Sequence, residues 1–216
     1  MSETVMTSLL NFFVGLINKE ARDEYGRLLG RVAAYHISPS GKIETVVIEK
    51  GDGNFDFYPA ECLKLGGTNI VLLSRIKVTA NRALHSINAI KERLAKIKPD
   101  DDINKLLYEI KRVENEVKTV LEAIEERIAQ CENQAVQLNE AINDMEVLSS
   151  LSKNPSPTLS LSIRALSASV RRLINERNDL EELRRRLIEQ LSELTEFAKI
   201  EQGRRRASRA KLSESV

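Results

Sequence analysis

The sequence predicts an α+β protein in which a small N-terminal β-barrel is followed by a long antiparallel helical hairpin. Residues 23–50 are punctuated by glycine and rich in β-branched side chains, which favours short strands and tight turns. Residues 78–202 contain no glycine and repeat apolar side chains at steps of three and four, which is typical of coiled-coil helices. We therefore divide the chain into a β domain (1–77), a coiled-coil region (78–202) and a basic tail (203–216).

In the β domain, alternating side chains over residues 28–35 and the apolar run 43–49 flank the turn sequence SPSGK, which predicts a hairpin. Further turns at GDGN and GGTN precede an apolar strand, IVLL, at residues 70–73. Five or six strands this short can bury an apolar face by curling into a barrel or sandwich. Gly26 and Gly30 are expected at the barrel turn, where glycine supplies a positive φ or allows a close strand approach.

The coiled-coil region divides at its prolines. KPDDD, residues 98–102, ends a first helix, and SKNPSPT, residues 152–158, separates two longer helices as a hairpin turn. Apolar residues spaced by three and four line both long helices and predict a self-assembly seam. The seam residues are Ile110, Val117, Ile124, Leu138, Leu166, Leu173, Leu180, Leu187 and Leu194.

Four seam positions, Arg127, Gln134, Arg177 and Arg184, are polar. Polar residues in a seam often fix the register or the oligomeric state at some cost in stability. Alternatively, the apolar stripe drifts around the helix and these side chains extend to water. The sequence leaves both interpretations open.

The tail is predicted to be disordered because Gly203 is expected to end the last helix. It carries a cluster of cations that predicts binding to a polyanion, either an anionic membrane surface or DNA. A tail that only improves solubility is the alternative. The cations are Arg204, Arg205, Arg206, Arg209 and Lys211.

No arrangement of residues predicts catalysis, a cofactor or a metal site. His36 and His85 have no neighbouring cysteine or carboxylate at ligand spacing, and no glycine-rich loop continues into a phosphate-binding lysine. The formal net charge of +1 provides no global field for an acidic partner, and Cys62 and Cys131 are expected to be reduced thiols. We expect a cytoplasmic protein that is not an enzyme and has no small-molecule substrate.

The apolar segment 8–17 is about half the length of a membrane span. It is expected either to pack on the barrel, as a strand or helix, or to form an amphipathic membrane anchor. The second interpretation would place the protein peripherally at a membrane.

Three stretches resemble the PRC-barrel family: DEYGRLLGRV at residues 23–32, the strand 43–48 followed by YPAE, and IVLL at residues 70–73. A PRC-barrel followed by a coiled coil is similar to the CdvA family of archaeal cell-division proteins. That resemblance implies a polymer that recruits ESCRT-III-like subunits to the division site on the membrane, so the protein would lie peripherally at the membrane or division site. The family's C-terminal peptide for this recruitment contains proline and valine, whereas this sequence ends in KLSESV, so no residue is carried over for that contact.

These observations predict a non-catalytic, self-assembling scaffold of the archaeal ESCRT-III-type cell-division or membrane-remodelling machinery. Its partners would be further copies of itself, as a homodimer or filament, together with ESCRT-III-like division proteins and an anionic membrane surface. The alternative is a coiled-coil structural protein that binds DNA or RNA through its basic tail.

Overall fold

The computed structural model describes residues 13–66, 69–97, 103–151 and 156–213. For residues 65, 66, 69 and 205–213 it describes the backbone alone. The chain divides into two compact units, Met1–Val78 and Thr79–Val216. The first contains a β-sheet and the second contains helices, so the α+β class is confirmed. The predicted loop 98–102 and residues 152–155 of the predicted hairpin turn 152–158 lie outside the described residues, whereas Pro157 and Thr158 of that turn are already helical.

A six-stranded mixed sheet forms the first unit, in the order β4-β3-β2-β1-β6-β5. Neighbouring strands are antiparallel except for β1 and β6, which are parallel. The strands are β1 (Glu20–Asp23), β2 (Leu28–Ile37), β3 (Ile43–Glu49), β4 (Phe55–Pro59), β5 (Leu63–Gly66) and β6 (Asn69–Leu72).

The sheet is open, whereas the sequence predicts a closed barrel. Closure would require β4 and β5 to pair with each other, but each of these strands is hydrogen-bonded to one neighbour only. The two edge strands are short and are joined by a 3-10 turn, Ala60–Cys62. Pro59, the last residue of β4, also lacks the N–H group that an additional strand ladder would use.

The sheet's core includes the segment that precedes β1, and β2 is bent. β2 has irregular register between Val32 and Ala34 and again near Ile37, and such bulges bend a strand and increase its twist. Leu16 is buried in the sheet's core, and the Phe13 ring meets the Tyr35 ring edge-on at 5.5 Å. The described part of the apolar segment 8–17 therefore packs on the sheet. The core contains Leu16, Ala21, Val32, Val46, Ile48, Ile70 and Leu72.

Three helices follow the sheet: α1 (Arg75–Ala95), α2 (Ile103–Leu151) and α3 (Pro157–Ser213). Pro157 occupies the first helical position, where its missing N–H group costs little. The sequence predicts an end at Gly203, but α3 continues through that glycine to Ser213. One glycine costs a helix only about 1 kcal/mol, and its neighbours Gln202 and Arg204 are good helix formers. Among the described helices, none is long and apolar enough to cross a membrane.

Candidate self-assembly surfaces

The predicted seam residues lie mainly in the interior of the helical unit. Leu138 and Leu166 are half-buried. The other seven residues are buried: Ile110, Val117, Ile124, Leu173, Leu180, Leu187 and Leu194. Since a single chain already covers most of this seam, contacts between folded copies would need other surfaces.

Helix α1 contacts both long helices. Ala80, Ile87 and Leu94 are buried, which places apolar residues of α1 at helical spacing inside the same unit. The Lys91 ammonium donates to the Gln190 side chain at 2.9 Å and pairs with Glu193 of α3 at 2.6 Å. Arg93 pairs with Glu109 of α2. These contacts tie α1 to both long helices, and a shallow groove beside them is lined by Ala95 and Phe197.

The polar seam position Arg127 has a specific partner in α3. Its guanidinium donates from Nε and Nη2 to the two carboxylate oxygens of Glu176, at 2.8 and 2.9 Å. Glu176 is only 5% exposed. The sequence interpretation missed Glu176, although its position three residues after Leu173 and four before Leu180 gives it the spacing of a seam residue.

The remaining polar seam positions are less enclosed. Gln134 is exposed and Arg184 is half-buried. Arg177 lies 3.8 Å from both Glu132 and Glu181, at the edge of the contact between the helices. Arg127 therefore has a specific partner, whereas the Gln134 side chain is exposed to water.

The two turn glycines differ in their surroundings. Gly26 has φ of +79° and open space where a Cβ atom would lie. Gly30 has φ of +153°, and a Cβ atom there would lie 2.1 Å from the main-chain oxygen of Glu49 on β3. Gly30 thus permits the close approach of two strands, and Gly26 supplies only the turn's conformation.

Asp23 organises the turn that contains Gly26. Its side chain is largely buried and accepts hydrogen bonds from the main-chain N–H groups of Tyr25 and Arg27, at 2.9 and 2.8 Å. The Arg27 guanidinium pairs with the same carboxylate. The stretch DEYGR is thus a compact turn held by its first residue, which accounts for an aspartate at this position.

The basic residues at the end of the chain lie on the last turns of α3. Arg204 is exposed and lies 3.9 Å from Glu201, one turn earlier. For Arg205, Arg206, Arg209 and Lys211 the structure describes the helical backbone alone. The cations therefore follow one another along a helix rather than along a disordered tail.

Two tyrosines of the sheet have perturbed acidity. Burial raises the pKa of Tyr35 to about 12. Its hydroxyl oxygen is enclosed without a hydrogen-bond partner in the described part of the chain. The pKa of Tyr58 is also raised, by burial and by the nearby charge of Asp56.

Within residues 13–66, 69–97, 103–151 and 156–213, no cluster of three histidine, cysteine or carboxylate side chains could hold a metal ion. Cys62 and Cys131 are both buried. No protein-family model matches the sequence, and no curated protein matches it.

Proposed function

We propose that this protein is a non-catalytic scaffold that assembles with copies of itself through its long helices. The observation that carries the proposal is the length of α2 and α3, 49 and 57 residues, which leaves exposed faces on both helices besides the seam that the chain itself buries. Helices in globular domains average about 11–12 residues. Helices several times longer are typical of extended scaffold proteins rather than of domains that enclose a ligand-binding site.

We further infer that α2 and α3 form an antiparallel hairpin. Near one end, α1 contacts Glu109 of α2 through Arg93 and Glu193 of α3 through Lys91. Farther along α2, Arg127 contacts Glu176. Residue numbers rise on α2 while they fall on α3, as expected for two helices that run in opposite directions.

The cellular setting is proposed from the sequence resemblance. The segment 23–32 resembles the PRC-barrel pattern, and a sheet unit followed by long helices has the domain order of CdvA-type division proteins. We therefore place the scaffold in an archaeal ESCRT-III-type division or membrane-remodelling apparatus. The basic last turns of α3 would bind an anionic membrane, where each cation contributes about 1 kcal/mol near the surface.

Self-assembly is tested by sedimentation and electron microscopy of the full chain, alone and with anionic vesicles or double-stranded DNA. The proposal expects assemblies without DNA and recruitment of those assemblies to the vesicles. A protein that stays monomeric over the whole accessible concentration range contradicts it.

The DNA-binding alternative has its own signature. Assembly only on DNA, with a log–log salt slope of about −4 to −5, would indicate a nucleic-acid-associated protein using five cations. Glutamine at the five basic positions 204, 205, 206, 209 and 211 should abolish surface binding and leave folding intact. The matched control replaces five exposed cations elsewhere by glutamine: Lys105, Lys111, Arg112, Lys118 and Arg186.

A further inference from the structure

The C-terminal half of α2 has a second face that the chain leaves exposed. Val136, Val147 and Leu151 are 57%, 58% and 78% exposed. With the exposed carboxylates Glu140 and Asp144, they follow steps of four, four, three and four, so all five side chains share one side of the helix. We call this set the acidic stripe. It lies opposite the seam residue Leu138 and its neighbour Met145, both of which are half-buried.

The first turns of α3 have a corresponding face of opposite charge. Leu161 is 63% exposed, and Arg164, Ala168 and Arg171 follow it at steps of three, four and three. We call these four residues the basic stripe. It lies on the side of α3 away from the seam residues Leu166 and Leu173, so it faces away from the contact with α2.

Charge is strictly segregated between these two helix segments. Residues 128–151 contain four carboxylates and no lysine or arginine, whereas residues 156–175 contain three arginines and no carboxylate. In the described part of the chain, the only ion pair made by any of these carboxylates or arginines is the 3.8 Å contact from Glu132 to Arg177, an arginine just beyond the second segment. The charges on both stripes therefore remain available for another molecule.

We propose that the acidic stripe of one copy docks against the basic stripe of a second copy. This inference rests on the proposed function and identifies the surfaces that perform it. Contact between identical stripes would bring like charges together, which disfavours a symmetric dimer through either face. Where each contact uses one stripe of each copy, one stripe stays free at each end, so further copies add in the same way and build an open filament or a closed ring.

The proposed contact combines modest apolar burial with several exposed charge pairs. Exposed charges are screened by salt over about 8–10 Å at physiological ionic strength, so assembly should weaken as salt rises. A single contact is expected to be weak. A chain held at both stripes gains from multivalency, because dissociation requires both contacts to break.

Charge reversal tests the contact without disturbing the folded chain, since all four altered residues are exposed. Glu140→Arg with Asp144→Arg reverses the acidic stripe, and Arg164→Glu with Arg171→Glu reverses the basic stripe. Each double variant should raise the protein concentration needed for assembly by about tenfold or more, because like charges then oppose each other. The matched control, Glu122→Arg with Glu125→Arg, makes the same charge change about 28 Å earlier on α2 and should assemble like the parent.

Complementation separates this contact from a general effect of charge. An equimolar mixture of the two reversed variants should assemble, as should one chain carrying all four substitutions, because opposite charges again meet. Sedimentation velocity at low salt measures both, with circular dichroism to verify unchanged helix content.

If the reversed variants assemble like the parent, the stripes are not the contact, although self-assembly itself stands. If reversal weakens assembly and complementation does not restore it, head-to-tail pairing is wrong. A parent chain that never associates overturns both this inference and the proposed function.

Discussion

The Arg127 guanidinium holds both carboxylate oxygens of Glu176 across the contact between α2 and α3. Glu176 is almost completely buried, whereas the Arg127 side chain retains 24% of its exposure. A bidentate pair accepts few alternative geometries, so it fixes one register between two helices whose apolar side chains could otherwise slide by a heptad. Removing one partner leaves a buried charge, which costs more than the pair contributes.

Glu176→Gln should therefore lower the free energy of unfolding of the helical unit by about 2–3 kcal/mol. Chemical denaturation followed by circular dichroism measures the change. Glu182→Gln is the matched control, because Glu182 pairs with Arg185 on the surface of the same helix and its loss should leave the unfolding midpoint unchanged. Replacing Arg127 and Glu176 together by leucine should bring stability back to within about 1 kcal/mol of the parent. Equal effects of the Glu176 and Glu182 substitutions would show that the buried pair has no special role.

Gly30 should tolerate substitution far less well than Gly26. Gly30→Ala places a methyl group against the main chain of β3, which cannot move aside as a side chain can, and should cost more than about 3 kcal/mol. In Gly26→Ala the methyl group meets open space. The free energy of unfolding should fall by only about 1–2 kcal/mol, because alanine disfavours the left-handed backbone conformation at this position. Hydrogen exchange of peptides from β2 and β3 in the full chain reports the difference. Similar protection in the two variants would contradict the close strand approach.

Local patterns predict the elements of this protein better than they predict its long-range pairing. Alternating side chains identify β2 and β3, and the apolar steps identify α2 with the bounds that the structure has. Whether the sheet is open or closed depends on hydrogen bonding between its two edge strands, β4 and β5. Local sequence patterns do not predict that pairing. The continuation of α3 past Gly203 reflects helix-forming neighbours that outweigh one unfavourable residue.

The candidate surfaces were only partly predictable for a related reason. The seam follows directly from apolar spacing, but spacing cannot reveal whether the seam is covered by the same chain or by another copy. The burial of Glu176 could not be predicted from the sequence. A charged residue at seam spacing is expected to be buried only if it has a partner of opposite charge, and spacing along one helix does not identify that partner. The charge segregation of the stripes is visible in the sequence, and its significance depends on the exposure of Val136, Val147 and Leu161.

Removing the hydroxyl group of Tyr35 should stabilise the sheet unit. The oxygen is enclosed without a hydrogen bond in the described structure, and an unsatisfied buried polar group costs about 1–3 kcal/mol. Tyr35→Phe should therefore slow hydrogen exchange in β2 at neutral pH. Tyr58→Phe is the control, since its ring keeps the Arg75 guanidinium 5.2 Å above its centre and its hydroxyl oxygen is not among the unsatisfied atoms. Faster exchange in Tyr35→Phe would indicate that the hydroxyl makes a favourable contact.

The same tyrosine predicts a loss of stability at high pH. In the unfolded chain the phenol ionises near pH 10, whereas in the folded chain its pKa is raised to about 12. Between these values the folded state keeps a proton that the unfolded state has released, so stability falls as pH rises. Tyr35→Phe should reduce this alkaline loss relative to the parent, with a remainder from Tyr58, whose pKa is also raised. An identical alkaline profile in parent and variant would exclude Tyr35 as a source.

A charge in the buried seam should destabilise the helical unit while sparing the sheet. Leu187 has no exposed surface, so Leu187→Asp buries a carboxylate and should lower the free energy of unfolding by several kcal/mol. The neighbouring Ile188 is 51% exposed, and Ile188→Asp should change stability little. Circular dichroism should show lost helix only in the Leu187 variant, and hydrogen exchange in β2 and β3 should match the parent because these strands belong to the other compact unit. Self-assembly should disappear together with the helix content, since the proposed docking stripes require folded helices. A Leu187 variant that keeps its helices and still assembles would show that this seam neither holds α3 in place nor supports the surfaces used for assembly.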